Sequence, residues 1–208
     1  MSNPHSAFKV SFRSLKVERL SMNDRNFPLD KDKALLAMDD LTEALLVSRT
    51  DANSDKVISS RVHKILSSVA SLFRGKLELT ITKDLAGGNR FDSFIDWLQN
   101  DSILVGVAKV MTNMDIPLVL DRIKNPLQQS LIERVSPDVD IRSLVAFGLV
   151  TDSRTWYLVR CNLVPTKIPG LVSSSFGTAK LGLVRYNTRE WRADVKGIFE
   201  YLMWLLNH

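Results

Sequence analysis

The stretch Leu-Val-Ala-Phe-Gly-Leu-Val-Thr-Asp-Ser-Arg-Thr-Trp-Tyr-Leu-Val-Arg-Cys, residues 144 to 161, decides the fold. Its first eight residues are a strongly apolar strand. Asp152, Ser153 and Arg154 turn the chain, because short Asp and Ser side chains bond to their own backbone, and Thr155 to Cys161 reads as the hairpin partner. Upstream, Ile103 to Val110 is a second, nearly continuous apolar strand that ends by carrying Lys109. A strand apolar at successive positions is one covered on both faces, so it belongs at the centre of a sheet. Before it, Leu77, Leu79 and Ile81 alternate with Glu78, Thr80 and Thr82. Gly87, Gly88 and Asn89 make a turn, a strand runs from Arg90 to about Trp97, and Asn100 and Asp101 turn again.

Helical periodicity surrounds this sheet. Leu35, Met38, Leu41, Leu45 and Leu46 predict a helix from Asp30 to about Val47. Ser54 caps a second one with the stripe Ile58, Val62, Ile65, Val69, Leu72 and Phe73, stopped by Gly75. Asn125 and Pro126 place a cap and first-turn proline before a helix with Leu127, Leu131, Ile132 and Val135 that Pro137 closes; Ile116 to Ile123 is ambiguous. Beyond the hairpin, short strands are expected at Gly170 to Ser175 and Lys180 to Arg185. The last helix is capped by Asn187 with Glu190 three residues on, and Trp191, Val195, Ile198, Phe199, Leu202 and Leu206 face the core. At the amino end, Phe8 to Val17 alternates like a half-buried strand, which argues against a targeting helix.

The chain has 208 residues, 45% apolar and 25% charged, the balance of a folded domain rather than of a disordered one. Its longest apolar run, residues 144 to 150, is far shorter than the roughly 18 to 20 residues that span a bilayer, so no membrane partner is expected. The single cysteine, Cys161, forms no internal disulfide, and an intracellular location, nuclear or cytoplasmic, is expected. His5, His63 and His208 lack zinc-site spacing. The formal charge of +5 lies wholly between Asp152 and Lys196, where eight Lys or Arg face three acids. Clustered cations neutralise phosphates additively, so Arg154, Lys180, Arg185, Arg189 and Arg192 are the candidate nucleic-acid contacts. Trp97 with Tyr157 is the candidate base-stacking pair.

The order helix, strand, turn, strand ending in Asp92, apolar strand ending in Lys109, helix, hairpin, helix resembles the restriction-endonuclease-like, PD-(D/E)XK superfamily, nearest to the nuclease-like domains of Crinkler effectors. Four stretches carry the resemblance: Gly-Gly-Asn-Arg-Phe-Asp-Ser-Phe-Ile (87 to 95), Ile-Leu-Val-Gly-Val-Ala-Lys (103 to 109), the helix with Gln128 and Gln129, and Phe147 to Leu158. The last is the most specific, matching a "Gly-Ile-Val-Thr-Asp-Gly, two residues, Trp" hairpin. It implies an α/β (α+β) fold: a central mixed sheet flanked by helices. Residues 75 to 208 would be the endonuclease-like core, and residues 1 to 74 an amino-terminal strand and two-helix region packed on it.

The resemblance implies catalysis by a strand-end carboxylate plus Glu-X-Lys, two acids holding Mg²⁺ against the scissile phosphate while Lys orients water. Asp92 takes the first place and Lys109 the last, but the Glu position is Val107, which cannot bind a hard cation. A relocated acid would have to come from Glu78, Glu133 or Glu43. Asp121 with Lys124 has the wrong spacing for a strand. Three functions follow as expectations. One is a nucleic-acid binder (DNA or RNA) with a degenerate, non-cleaving fold and no cofactor. Another is a Mg²⁺-dependent nuclease in which Asp92, Lys109 and Glu78 are catalytic and Asp92, Glu78 and Glu133 hold the metal. The third is a structural or adaptor protein, viral or effector, that meets a protein partner or forms a homo-oligomer through its apolar helix, Ile198 to Leu206.

Overall fold

The computed structural model describes residues 13–14, 19, 21–22, 24, 27–47, 54–73, 78–81, 95–99, 104–112, 114–136, 138–167 and 172–207. The expected turns at Gly87 to Asn89 and at Asn100 and Asp101 lie outside them, as do the helix stop at Gly75 and most of Phe8 to Val17. Seven strands form one mixed sheet: β1 (Arg13–Ser14), β2 (Glu78–Ile81), β3 (Ile95–Gln99), β4 (Leu104–Lys109), β5 (Val145–Thr151), β6 (Thr155–Pro165) and β7 (Val172–Leu183). Their order is β1-β7-β6-β5-β4-β3-β2. The pairs β4/β5 and β1/β7 are parallel and the rest antiparallel. A parallel pair needs a crossover, supplied by α3 (Ile116–Arg122) and α4 (Lys124–Ile132).

Both faces of the central strands are covered, as their sequence requires. Val105, Val107, Phe147, Leu149, Trp156 and Leu158 pack beneath α1 (Lys31–Leu46), α2 (Asp55–Ser71) and α5 (Trp191–Leu206). Leu104, Ala108, Ala146, Val150 and Val159 pack beneath α3 and α4. The α1 cap is Asp30, which accepts from the Lys33 amide at 3.2 Å, and the α2 cap is Ser54, which accepts from the Val57 amide at 3.4 Å. Sequence periodicity locates the buried stripe of α2, and of α1 it finds Met38, Leu41 and Leu45, while Leu35 and Leu46 are exposed and Ala34 and Thr42 are buried in their place.

Four boundaries differ from expectation. Residues 116–123, ambiguous in sequence, form α3, and α4 follows it directly. The amides of Ile123 and Leu127 bond to Val119 and Ile123 carbonyls, so helical bonding carries through the junction and Ile123, not Asn125, precedes α4. The two short strands expected around residues 170–185 are one strand, β7, because β6 runs on to Pro165 and pairs with it to Val172; an irregularity opposite Trp156 and Tyr157 absorbs one residue. The strand expected to end at about Trp97 runs on to Gln99, and the expected residues 90–94 lie outside the described residues. Glu190, not Asn187, precedes α5, while Thr188 closes the preceding turn on the Arg185 carbonyl.

The apolar face Ile198 to Leu206 is buried in the chain's own core, which removes it as a docking surface. Among the described residues, that core holds one carboxylate. Glu200 of α5 pairs with the Arg19 guanidinium and accepts from the Met22 amide at 3.2 Å, holding the amino-terminal segment onto the last helix.

Gly148 sets how closely α3 and α4 approach the sheet. A Cβ there would stand 2.8 Å from both Ile123 Cδ1 and Leu127 Cδ1. We predict that Gly148→Ala lowers stability by about 1–3 kcal/mol, the usual cost of overpacking, read as a lower urea midpoint at constant slope. An unchanged midpoint would refute this close packing.

Candidate functional site

Lys109 closes β4 and lies in register with Thr151, the last residue of β5. It is half-buried, and its Nζ reaches Ser59 Oγ of α2 at 3.5 Å. Val107, two residues earlier on the same face, is fully buried beneath α2 and α5 in a row with Leu149 and Leu158. The position where Glu-X-Lys would need a carboxylate is therefore part of the apolar core, and an ionised group there would lose its hydration.

Among the described residues, the acids named from sequence take separate places in the fold. Asp92 lies outside the described residues. Glu78 is in register with Gln99 and through it with Leu104, five residues from Lys109 along β4. An odd separation puts the two positions on opposite faces. Glu133 ends α4, across the sheet from Lys109, and accepts from Gln129 Nε2 at 3.1 Å. Glu43 is exposed on α1. Asp121 and Lys124 form an ion pair at 2.7 Å between an exposed carboxylate and a buried ammonium. Register instead places Asp96 of β3 directly beside Val107. Strand alternation alone missed it because the β3 to β4 pairing was not known. Among the described residues, no three His, Cys, Asp or Glu side chains stand together as a metal-holding group.

The most family-like motif proves to be an internally bonded turn. Asp152 Oδ1 accepts from the Arg154 and Thr155 amides at 2.9 and 2.6 Å. Ser153 has φ 72°, the left-handed region, and its amide bonds to Thr151 Oγ1 at 2.9 Å. Its carbonyl accepts from Trp156 Nε1 at 3.3 Å and from Tyr186 Oη at 3.2 Å. Arg61, buried on α2, stacks 4.1 Å from the Tyr186 ring centroid. Burial pushes the Tyr186 hydroxyl well above its usual range, so it serves as a neutral donor.

Five cations selected by charge counting come to one end of the sheet, where β4, β5 and β7 finish. The Arg154 carbonyl accepts from the Val184 amide at 2.8 Å, tying the hairpin turn to the segment that carries Arg185 and Arg189. Lys180 is exposed on the edge of β6 and β7, opposite Tyr157. Arg189 and Arg192 are exposed, and Arg192 lies 5.7 Å from the Trp191 ring centroid. Arg185 differs: its Nε and Nη2 bond to Asp194 at 2.9 Å each, and its amide bonds to the same carboxylate. That pair is internally neutralised.

Next to Lys109 opens a cleft of about 450 Å³ lined by Ile58, Val110 to Thr112, Met114 to Pro117, Asp152 and Arg154. Asp55, first residue of α2, anchors its wall by accepting from the Thr112 amide and hydroxyl at 2.9 and 2.7 Å, which hold its carboxyl below the usual range. No sequence pattern announced this cleft, since it is assembled from three distant segments.

The chain is similar to a Crinkler effector. Crinkler effector protein 1 of Rhizophagus irregularis is 28% identical over 151 residues, 70% of this chain. Those residues cover 31% of that protein, so the chain spans about a third of its relative's length. No protein-family model and no solved structure matches the chain. Among the described residues, no helix is long and apolar enough to cross a membrane.

Two predictions follow from these environments. Burial pushes the Cys161 thiol up to about 12, so in the native protein at pH 8 it should resist alkylation and react only after denaturation; rapid labelling of the folded chain would contradict its place beneath α4. The Arg185 hydrogen bonds hold Asp194 below its ordinary value of 3.8. A lowered native value means stability fully present above the ordinary value and lost as pH falls through the native one. Asp194→Asn should therefore flatten the loss of thermal stability between about pH 5 and pH 2; an unaltered acid limb would show that the pair adds nothing.

Proposed function

We propose that this chain is an effector-type module that binds nucleic acid without cleaving it, using the basic end of an endonuclease-like sheet. The observation that carries the proposal is the fully buried Val107 beside a retained Lys109, at the end of the sheet where Arg154, Lys180, Arg189 and Arg192 gather. A Mg²⁺-dependent hydrolase needs carboxylates to hold the ion against the phosphate. Core packing at Val107 argues against one there, while cations at the adjoining surface suit phosphate contact. The similarity to a Crinkler effector supports the effector class, and the four sequence stretches that resemble PD-(D/E)XK proteins support the ancestry. Residues 75 to 208 would be the core of that ancestry, and residues 1 to 74 its extension. Asp96, in register beside Val107, favours one second reading: a nuclease whose relocated acid is Asp96, with Asp92 its partner.

Fluorescence anisotropy with labelled DNA and RNA duplexes and single strands, across a salt series, tests the proposal. Binding should weaken steeply with salt, and Lys180→Ala, Arg189→Ala and Arg192→Ala should each lower the log–log salt slope by about 1. Salt-insensitive or absent binding overturns it. Mg²⁺-dependent cleavage lost in both Asp96→Asn and Lys109→Ala would replace it with the nuclease.

A further inference from the structure

We infer that the cleft beside Lys109 receives a single unpaired guanine of the bound strand; this rests on the nucleic-acid reading above and adds the base it prefers. The cleft lies where the parallel strands β4 and β5 end, the end of an open sheet at which ligands are commonly taken, and its 450 Å³ falls within the range of small-ligand sites. Ile58, Met111, Met114 and Ile116 give it apolar walls. Thioethers on such walls adapt to a flat aromatic face.

The polar groups of the lining narrow the choice of base. Asp152 spends Oδ1 on the hairpin turn. Asp115 precedes α3 but its side chain makes no cap hydrogen bond to that helix, and Asp115 and Arg154 both line the cleft. A carboxylate accepts two parallel hydrogen bonds, and a guanidinium donates two. Guanine alone among the four bases offers both matches: N1–H and N2–H as adjacent donors, and O6 and N7 as adjacent acceptors. Because N1 and N2 lie on the pairing edge, the base must be single-stranded or turned out of a duplex. The phosphates flanking it would lie toward Arg189 and Arg192.

The experiment uses the full chain with four labelled oligonucleotides, in deoxyribose and ribose versions, identical except for the central base in a pyrimidine context. We expect the central-guanine strand to bind at least about fivefold more tightly than the other three. Asp115→Asn should equalise the four, and Met114→Trp, which fills the cleft, should do the same. Salt-dependent binding with equal affinity for all four bases overturns the guanine site and leaves the nucleic-acid reading standing. No binding of any oligonucleotide overturns both. A guanine preference that survives Asp115→Asn and Met114→Trp places the discrimination elsewhere and overturns the inference as well.

Discussion

The parallel pairing of β4 with β5 is the constraint on which the rest of the molecule depends. Two adjacent parallel strands cannot be joined by a hairpin. The connection must leave the sheet, cross one face and return, and here α3 and α4 make that journey. Once one face is covered by the crossover, the other needs its own cover, which α1, α2 and α5 provide. Every residue of β4 before Lys109 is then enclosed. The side chain at position 107 faces helices rather than water, so the same covering that stabilises the sheet makes that position hostile to a metal-binding acid.

Much of this was legible in the primary sequence because it depends on burial alone. The stripes of α2 and α5, the centre of the α1 stripe and the unbroken apolar runs of β4 and β5 follow from which residues avoid water, and those patterns have fixed periods. What could not be read depends on pairing between distant segments. Residues 170 to 185 look like two short strands until the length of β6 is known. Glu78 looks like a neighbour of Lys109 until the antiparallel register of β2 and β3 assigns it to the other face and the other end. Asn125 and Asn187 have the chemistry of caps, yet tertiary packing carried helical bonding through the first junction and moved the second helix start three residues on.

Charge was the property for which counting and structure agreed in part. The cluster is real as a location, since the hairpin turn and the segment after β7 are tied by the bond between the Arg154 carbonyl and the Val184 amide. Its strength is less than the count implied. Asp194 consumes the charge of Arg185, and the surface offered to an anion is carried by the cations around that pair. The hairpin motif, in turn, supplies architecture: Asp152 and the Ser153 carbonyl are bonded within the turn and to Tyr186, while Arg154 lines the adjoining cleft.

The buried Glu200 has a consequence for the order in which the chain can be completed. Its partners, Arg19 and the Met22 amide, precede it by 181 and 178 residues. At a synthesis rate of about 5–20 residues per second, the early segment leaves the ribosome roughly 10 to 35 s before the carboxylate that will hold it exists. Through that interval α1 and α2 also lack the apolar surface of α5 against which they finally close. α5 is therefore the helix that seals this core, and a nascent chain stalled short of Glu200 would present α1 and α2 to chaperones rather than to a core.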